Sequence, residues 1–173
     1  MKRLVILLFL VALSGGKLFS DEPKVEGWKA AKFGMTEVEV RDAFKDEIRE
    51  FQKPEKWKNG SAPIYVEFQL AEKPWDARFI FDAKAKTLVE ILLRPSKTVG
   101  FPGLLFPDLE RQLTEKYGQP ESKNDERTGV GRLRSWKRAQ TRIELRYSEI
   151  EGLGVRNLTI SYSRIPAGGS DNL

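Results

Sequence analysis

Two residue types are missing altogether: the 173-residue chain has no cysteine and no histidine. Without cysteine, the fold must be held by its core and not by disulfides. Without either residue, the usual zinc ligands, the Ser-His and Cys-His nucleophile pairs and the best proton carrier near neutral pH are excluded. What survives is carboxylate chemistry, which needs two Asp or Glu facing each other across a cleft. Glu67, Asp82, Glu90 and Glu144 alternate with apolar residues in strand-like segments, the pattern of a solvated sheet face. The acidic run Asn124-Asp125-Glu126 lacks the D-x-D-x-D-G spacing of a calcium loop. No catalytic residue, cofactor or metal is therefore expected.

A surplus of one charge is also scarce. Three of the cations behind the formal +5, Lys2, Arg3 and Lys17, fall within the first twenty residues. The densest basic stretch left, Arg132, Arg134, Lys137 and Arg138, alternates with Leu133, Ser135 and Trp136. Strand-edge solvation accounts for that pattern better than phosphate binding, so no nucleic acid is expected as partner. Long apolar runs are limited to Leu4–Leu13, shorter than the roughly 20 residues that cross a bilayer. Lys2 and Arg3 before this run, small residues after it and Asp21-Glu22-Pro23 beyond have the layout of a cleaved secretory leader. The expected organisation is a signal peptide over 1–20, one domain over 21–166 and a frayed tail over 167–173. That places the protein in a bacterial periplasm or outside the cell, with no stable membrane insertion after cleavage.

The chain after the leader is long enough for one sizeable core and reads as one programme run twice. Thr36 with Glu39 forms a capping box, and Val40, Phe44, Ile48 and Phe51 follow at helical spacing. Pro54 and the stretch Asn59 to Pro63 end the helical region. Ile64 to Leu70, Arg78 to Asp82 and Thr87 to Arg94 then read as strands, the first alternating cleanly with Tyr65, Glu67 and Gln69. In the second run Pro107 opens a helix with Leu105, Leu109, Leu113 and Tyr117 as its stripe, and Gly118 with Pro120 stops it. Glu121 to Gly131 reads as a polar loop. Arg132 to Arg138, Thr141 to Ser148 and Val155 to Ser163 supply three strands, with Ile143, Leu145, Tyr147, Leu158, Ile160 and Tyr162 inward and a turn at Gly152 and Gly154. The predicted fold is a two-layer α+β domain: a mostly antiparallel sheet with two helices on one face, built from a duplicated α-β-β-β unit over about 28–95 and 101–165.

The stretch Gly34-Met35-Thr36-x-x-x-Val40-x-x-x-Phe44 resembles the helix-opening motif of small exported bacterial proteins of the BamE type, and of tandem-repeat proteins built like the β-lactamase inhibitor protein. Leu113-x-x-x-Tyr117-Gly118-x-Pro120 is similar to the helix-ending half of that motif. The chain lacks the lipid-bearing cysteine of the first group and the disulfides of the second. The resemblance implies a non-enzymatic envelope protein that binds other proteins through its sheet or loops, and it transfers no binding residue.

The expected function is thus an exported, non-catalytic binding or scaffolding module whose partner is another envelope or secreted protein. Its candidate contacts are Tyr65, Arg142, Glu144 and Arg146 on the polar sheet face, together with Trp75, which follows Pro74 in an expected hairpin connection where a large apolar side chain must pack back or meet a partner. Two alternatives stand beside it. One is a small carboxylate-dependent cell-wall glycoside hydrolase, and the other a secreted inhibitor projecting the Lys73-Pro74-Trp75 turn.

Overall fold

The computed structural model of the chain describes residues 25–58, 60–96, 102–125, 131–150 and 155–165. The leader, the Gly152 and Gly154 turn and the tail lie outside the described residues. A short ladder pairs β1 (Gly27–Trp28) with β2 (Ala31–Lys32). Helix α1 (Glu37–Phe44) leads into β3 (Ile48–Trp57), β4 (Gly60–Leu70), β5 (Lys73–Asp82) and β6 (Leu88–Pro95). Helix α2 (Phe106–Tyr117) leads into β7 (Ser122–Asp125), β8 (Gly131–Arg138), β9 (Thr141–Ile150) and β10 (Val155–Arg164). Strands β3 to β10 form one antiparallel sheet in the order β3-β4-β5-β6-β10-β9-β8-β7.

Side chains alternate across a strand, so directly opposed residues share a face. The row Ile64, Phe79, Ile91, Tyr162, Ile143, Trp136 crosses six strands, and every member is buried. Both helices lie on that face. Phe44 of α1 packs on Phe79 with ring centroids 5.2 Å apart, and Tyr117 of α2 meets Tyr162 hydroxyl to hydroxyl at 3.3 Å. One continuous core joins Val40 and Phe44 of α1, Phe106, Leu109, Leu113 and Tyr117 of α2, and the inward residues of the sheet. The α+β class with a mostly antiparallel sheet is therefore present.

Local chemistry sets the helix ends. Thr36 Oγ1 accepts from the Glu39 amide while Glu39 Oε2 accepts from the Thr36 amide at 2.7 Å, completing the capping box. Gly118 ends α2 at φ 75°, and Trp136 Nε1 donates to its carbonyl at 2.8 Å.

Three expectations are corrected. Helix α1 stops at Phe44 because Lys45 turns to φ 47°, so Ile48 and Phe51 belong to strand β3 and not to the helical stripe. Pro54 lies inside β3, which tolerates it as an edge strand with a bulge: residues 51–54 face the single Pro63 of β4. Part of the expected polar loop, Ser122–Asp125, is the opposite edge strand β7.

Arg134 is not strand-edge solvation either. It points to the helix side with its side chain 8 % exposed, where Nε reaches Glu110 of α2 at 2.8 Å and Nη1 reaches Asp125 of β7 at 2.6 Å. Burial pushes the Glu110 carboxyl up, but Arg134 and Lys123 outweigh it and hold it below its ordinary value, and Arg134 holds Asp125 low. Replacing Arg134 by Met should cost about 1–3 kcal/mol, since both carboxylates retain access to water. Urea denaturation of R134M checks this, and a change within error would show that the link between α2 and β7 is dispensable.

Candidate functional site on the outer face of the sheet

The face turned away from the helices carries most of the candidate residues. One row on it runs Arg49, Tyr65, Arg78, Leu92, Ser161, Glu144, Ser135, Ser122 and touches every strand of the large sheet. Tyr65 and Glu144 thus share a face but stand four strand spacings apart, roughly 19 Å. Arg142, Glu144 and Arg146 lie together on β9, with Arg146 Nη2 3.5 Å from Glu144 Oε2. The structure joins these three and sets Tyr65 on the far half of the same surface.

Trp75 does not belong to this surface. It stands on the helix side of β5, opposite Phe68 and Pro95, and is completely buried. The preceding hairpin turn consists of Ala71 and Glu72, both at positive φ, so Lys73-Pro74-Trp75 is already strand and projects nothing. Its large apolar ring packs back into the core, which removes it as an accessible partner contact and removes that turn as an inhibitory loop.

Around Tyr65 the outer face is less solvated than its polarity implied. The bulge of β3 brings Phe51 over it, with ring centroids 4.6 Å from Tyr65 and 5.0 Å from the Arg78 guanidinium. A second, smaller apolar cluster of Ala62, Ile80 and Leu92, with Phe51, Trp57 and Val89 against it, seals the rest. Beneath this cover Arg78 and Asp76 are nearly buried. Arg78 pairs with Glu55 through Nη1 and with Asp76 Oδ2 through Nη2 at 3.3 Å. Asp76 Oδ1 and Arg78 Nε find no hydrogen-bond partner among the described residues.

Burial pushes the Asp76 carboxyl up, although Arg78 pulls the other way. Burial likewise lowers the affinity of Arg94 for its proton, and the neighbouring Arg78 adds to the effect. Glu90 is raised by burial first and by Glu144 second. The central strands therefore withdraw Asp76 and Glu90 from water, whereas Arg94 stays exposed and shares the field of Asp76 and Glu55 with Arg78. Asp82, by contrast, accepts from the Lys84 and Ala85 amides in the β5–β6 turn and is held low by those bonds. Sequence reasoning named Glu90 and Glu144 but missed Asp76 and Arg78. The available signal was two opposite charges two residues apart in the otherwise apolar run from Trp75 to Phe81.

No family model matches the chain, and no curated protein matches it. Among solved structures it is similar to a DUF4309 family protein, YjgB of Bacillus subtilis, at 12 % identity with a TM-score of 0.43, over 75 % of this chain and 78 % of that one.

Glu90 gives this site a pH signature. Its folded-state affinity for a proton exceeds the unfolded one, so folding is favoured when it is protonated and loses ground as pH rises through its unfolded and then its folded value. Glu90→Gln should therefore raise the urea midpoint at pH 7 and leave it unchanged near about pH 3.5, below both values. Equal midpoints at pH 7 would show that Glu90 is adequately solvated.

Proposed function

We propose that the protein is an exported, non-catalytic module of the bacterial envelope, periplasmic or secreted, that holds another envelope or secreted protein on the outer face of its sheet. The observation that carries this reading is the charged row on β9, Arg142, Glu144 and Arg146, continued across Ser163 of β10 to a partly desolvated Glu90 on β6. A face that served only for solvation gains nothing from charges withdrawn from water, because the desolvation cost is seldom recovered within one chain. A polypeptide surface with complementary charges adds charge pairs to this row and makes charge matching the source of specificity. Arg142, Glu144 and Arg146 form the accessible half of this contact and Tyr65 the aromatic half.

The same reading includes the cleaved leader and the duplication. Each helix precedes a four-strand meander, and the last strands of the two, β6 and β10, meet at the centre of the sheet. That mirror order supports two copies of one unit, now with four strands each. A carboxylate hydrolase is kept as a second reading on one observation, the raised Glu90 with Glu144 diagonally across β10 on the same face, Glu90 being the proton donor. Release of soluble fragments from peptidoglycan by the purified protein, lost in Glu90→Gln, would favour it over binding.

A photo-cross-linking residue placed at Ser161 or Arg146 in the intact envelope should capture one protein, while the same group at Val38 on the exposed side of α1 should not. Changing Arg142, Glu144 and Arg146 together to Ala should reduce the Ser161 adduct about tenfold or more at unchanged far-UV circular dichroism. An undiminished adduct, or equal capture from Val38, would overturn the assignment.

A further inference from the structure

On the opposite side of the sheet, a cavity of about 220 Å³ opens between α2 and the central strands. Leu93 and Ile160, directly opposed on β6 and β10, form its floor with Tyr162. Leu109 and Leu113 of α2 form one wall, and Phe68 with Trp28 of the β1–β2 ladder forms the other. The rings of Trp28 and Phe68 lie 4.9 Å apart, and Trp28 also stacks on Phe44 at 6.3 Å, which fixes that wall against α1. Such a volume exceeds the roughly 150 Å³ apolar cavity that stays dry and takes up benzene, and tightly packed interiors do not leave gaps of this size.

One cation lines the cavity, and a second stands over two of its aromatic rings. The first is Lys116 of α2, whose ammonium stands 5.0 Å from the Tyr117 ring. Lys29, in the turn between β1 and β2, holds its ammonium 4.7 Å from the Trp28 ring and 5.4 Å from the Phe68 ring. Among the described residues neither ammonium meets a carboxylate, and no carboxylate lines the cavity. The nearest acids along α2 are engaged elsewhere: Asp108 by Arg111 and Gln112, and Glu115 by Arg111.

We propose that this cavity binds a small amphipathic anion, with an apolar body of about six to ten carbons against Leu93 and Ile160 and a carboxylate or similar head beside Lys116, on the side where Lys29 adds positive charge over the Trp28 and Phe68 rings. Apolar burial supplies the affinity, and Lys116 at the cavity, reinforced by Lys29 over the Trp28 and Phe68 rings, selects the charge. The site lies across the sheet from the proposed protein contact and stands independently of it.

Calorimetric titration of the purified protein with octanoate, below its micellar range, tests the proposal against octylammonium and octanol. One octanoate per chain is expected, bound more tightly than either control. The double variant Lys29→Glu/Lys116→Glu, at two exposed positions, should weaken octanoate about tenfold and leave octanol unchanged. Gln112→Phe, which fills the mouth from the surface of α2, should abolish both. Absence of octanoate binding, equal affinity for octylammonium, or octanoate binding that survives Gln112→Phe would overturn it.

Discussion

The whole architecture hangs on the antiparallel pairing of β6 with β10, with Ile160 set opposite Leu93 and Tyr162 opposite Ile91. Each meander alone presents one apolar face, and the two faces form one core only if their phases agree at this seam. A slip of a single residue would send Leu158, Ile160 and Tyr162 to the outer surface while Ile91 and Leu93 stayed inside. Each such side chain is worth about 1.5–3 kcal/mol when buried, so misregister forfeits several times the value of any one hydrogen bond in the ladder. Apolar burial on the helix side therefore selects the register, and the ladder follows.

That choice has a consequence for the other side. Fixing the inner row fixes the outer row, and the outer row of β5 is Asp76, Arg78 and Ile80. The bulged edge strand β3 folds Phe51 over these residues, which protects the sheet edge but withdraws Arg78 and Asp76 from water. Glu55, delivered by the same strand, supplies the counter-ion. A buried ion pair of this kind recovers its desolvation cost only in part, so it serves orientation and specificity better than stability. The centre of the outer face is thus where the net gain from burial is smallest.

The inner face was largely legible in the sequence, because its signals are periodic and strong. Thr36 with Glu39, the α2 stripe, the Gly118 stop and the inward residues of β4, β9 and β10 all stand where their spacing placed them. Edge strands were not legible, for two different reasons. Strand β7 is exposed along its whole length and so carries no apolar alternation. Strand β3 begins with Ile48 and Phe51, whose distances from Val40 and Phe44 imitate helical spacing, and only the backbone turn at Lys45 distinguishes the two. Arg134 and Trp75 were misplaced because composition suggests exposure for a cation among cations and for a ring beside a proline, whereas strand parity sends both inward. Of the outer surface, the position of Arg142, Glu144 and Arg146 on one face of β9 was legible and the burial of Asp76 and Arg78 was not, since it comes with a bulge that no local pattern announces.

The cavity over the seam follows from simple dimensions. Eight strands span about 34 Å across the sheet, whereas two helices laid side by side cover about 20–24 Å. Helix α2 is drawn outward, toward β7 and β8, by the ion pairs of Arg134 with Glu110 and of Lys123 with Glu110. Helix α1 is short and is held over β5 by Phe44 against Phe79. The strip between them needs a third roof, and the β1–β2 ladder provides one with Trp28, whose ring bridges from Phe44 to Phe68. Since Trp28 and α2 stand on opposite walls of the opening, the gap between them is set by how the sheet is covered and not by any one small side chain. Enlarging a single residue narrows it locally, while closing it entirely would require α2 to give up the Arg134 anchor and move toward the seam.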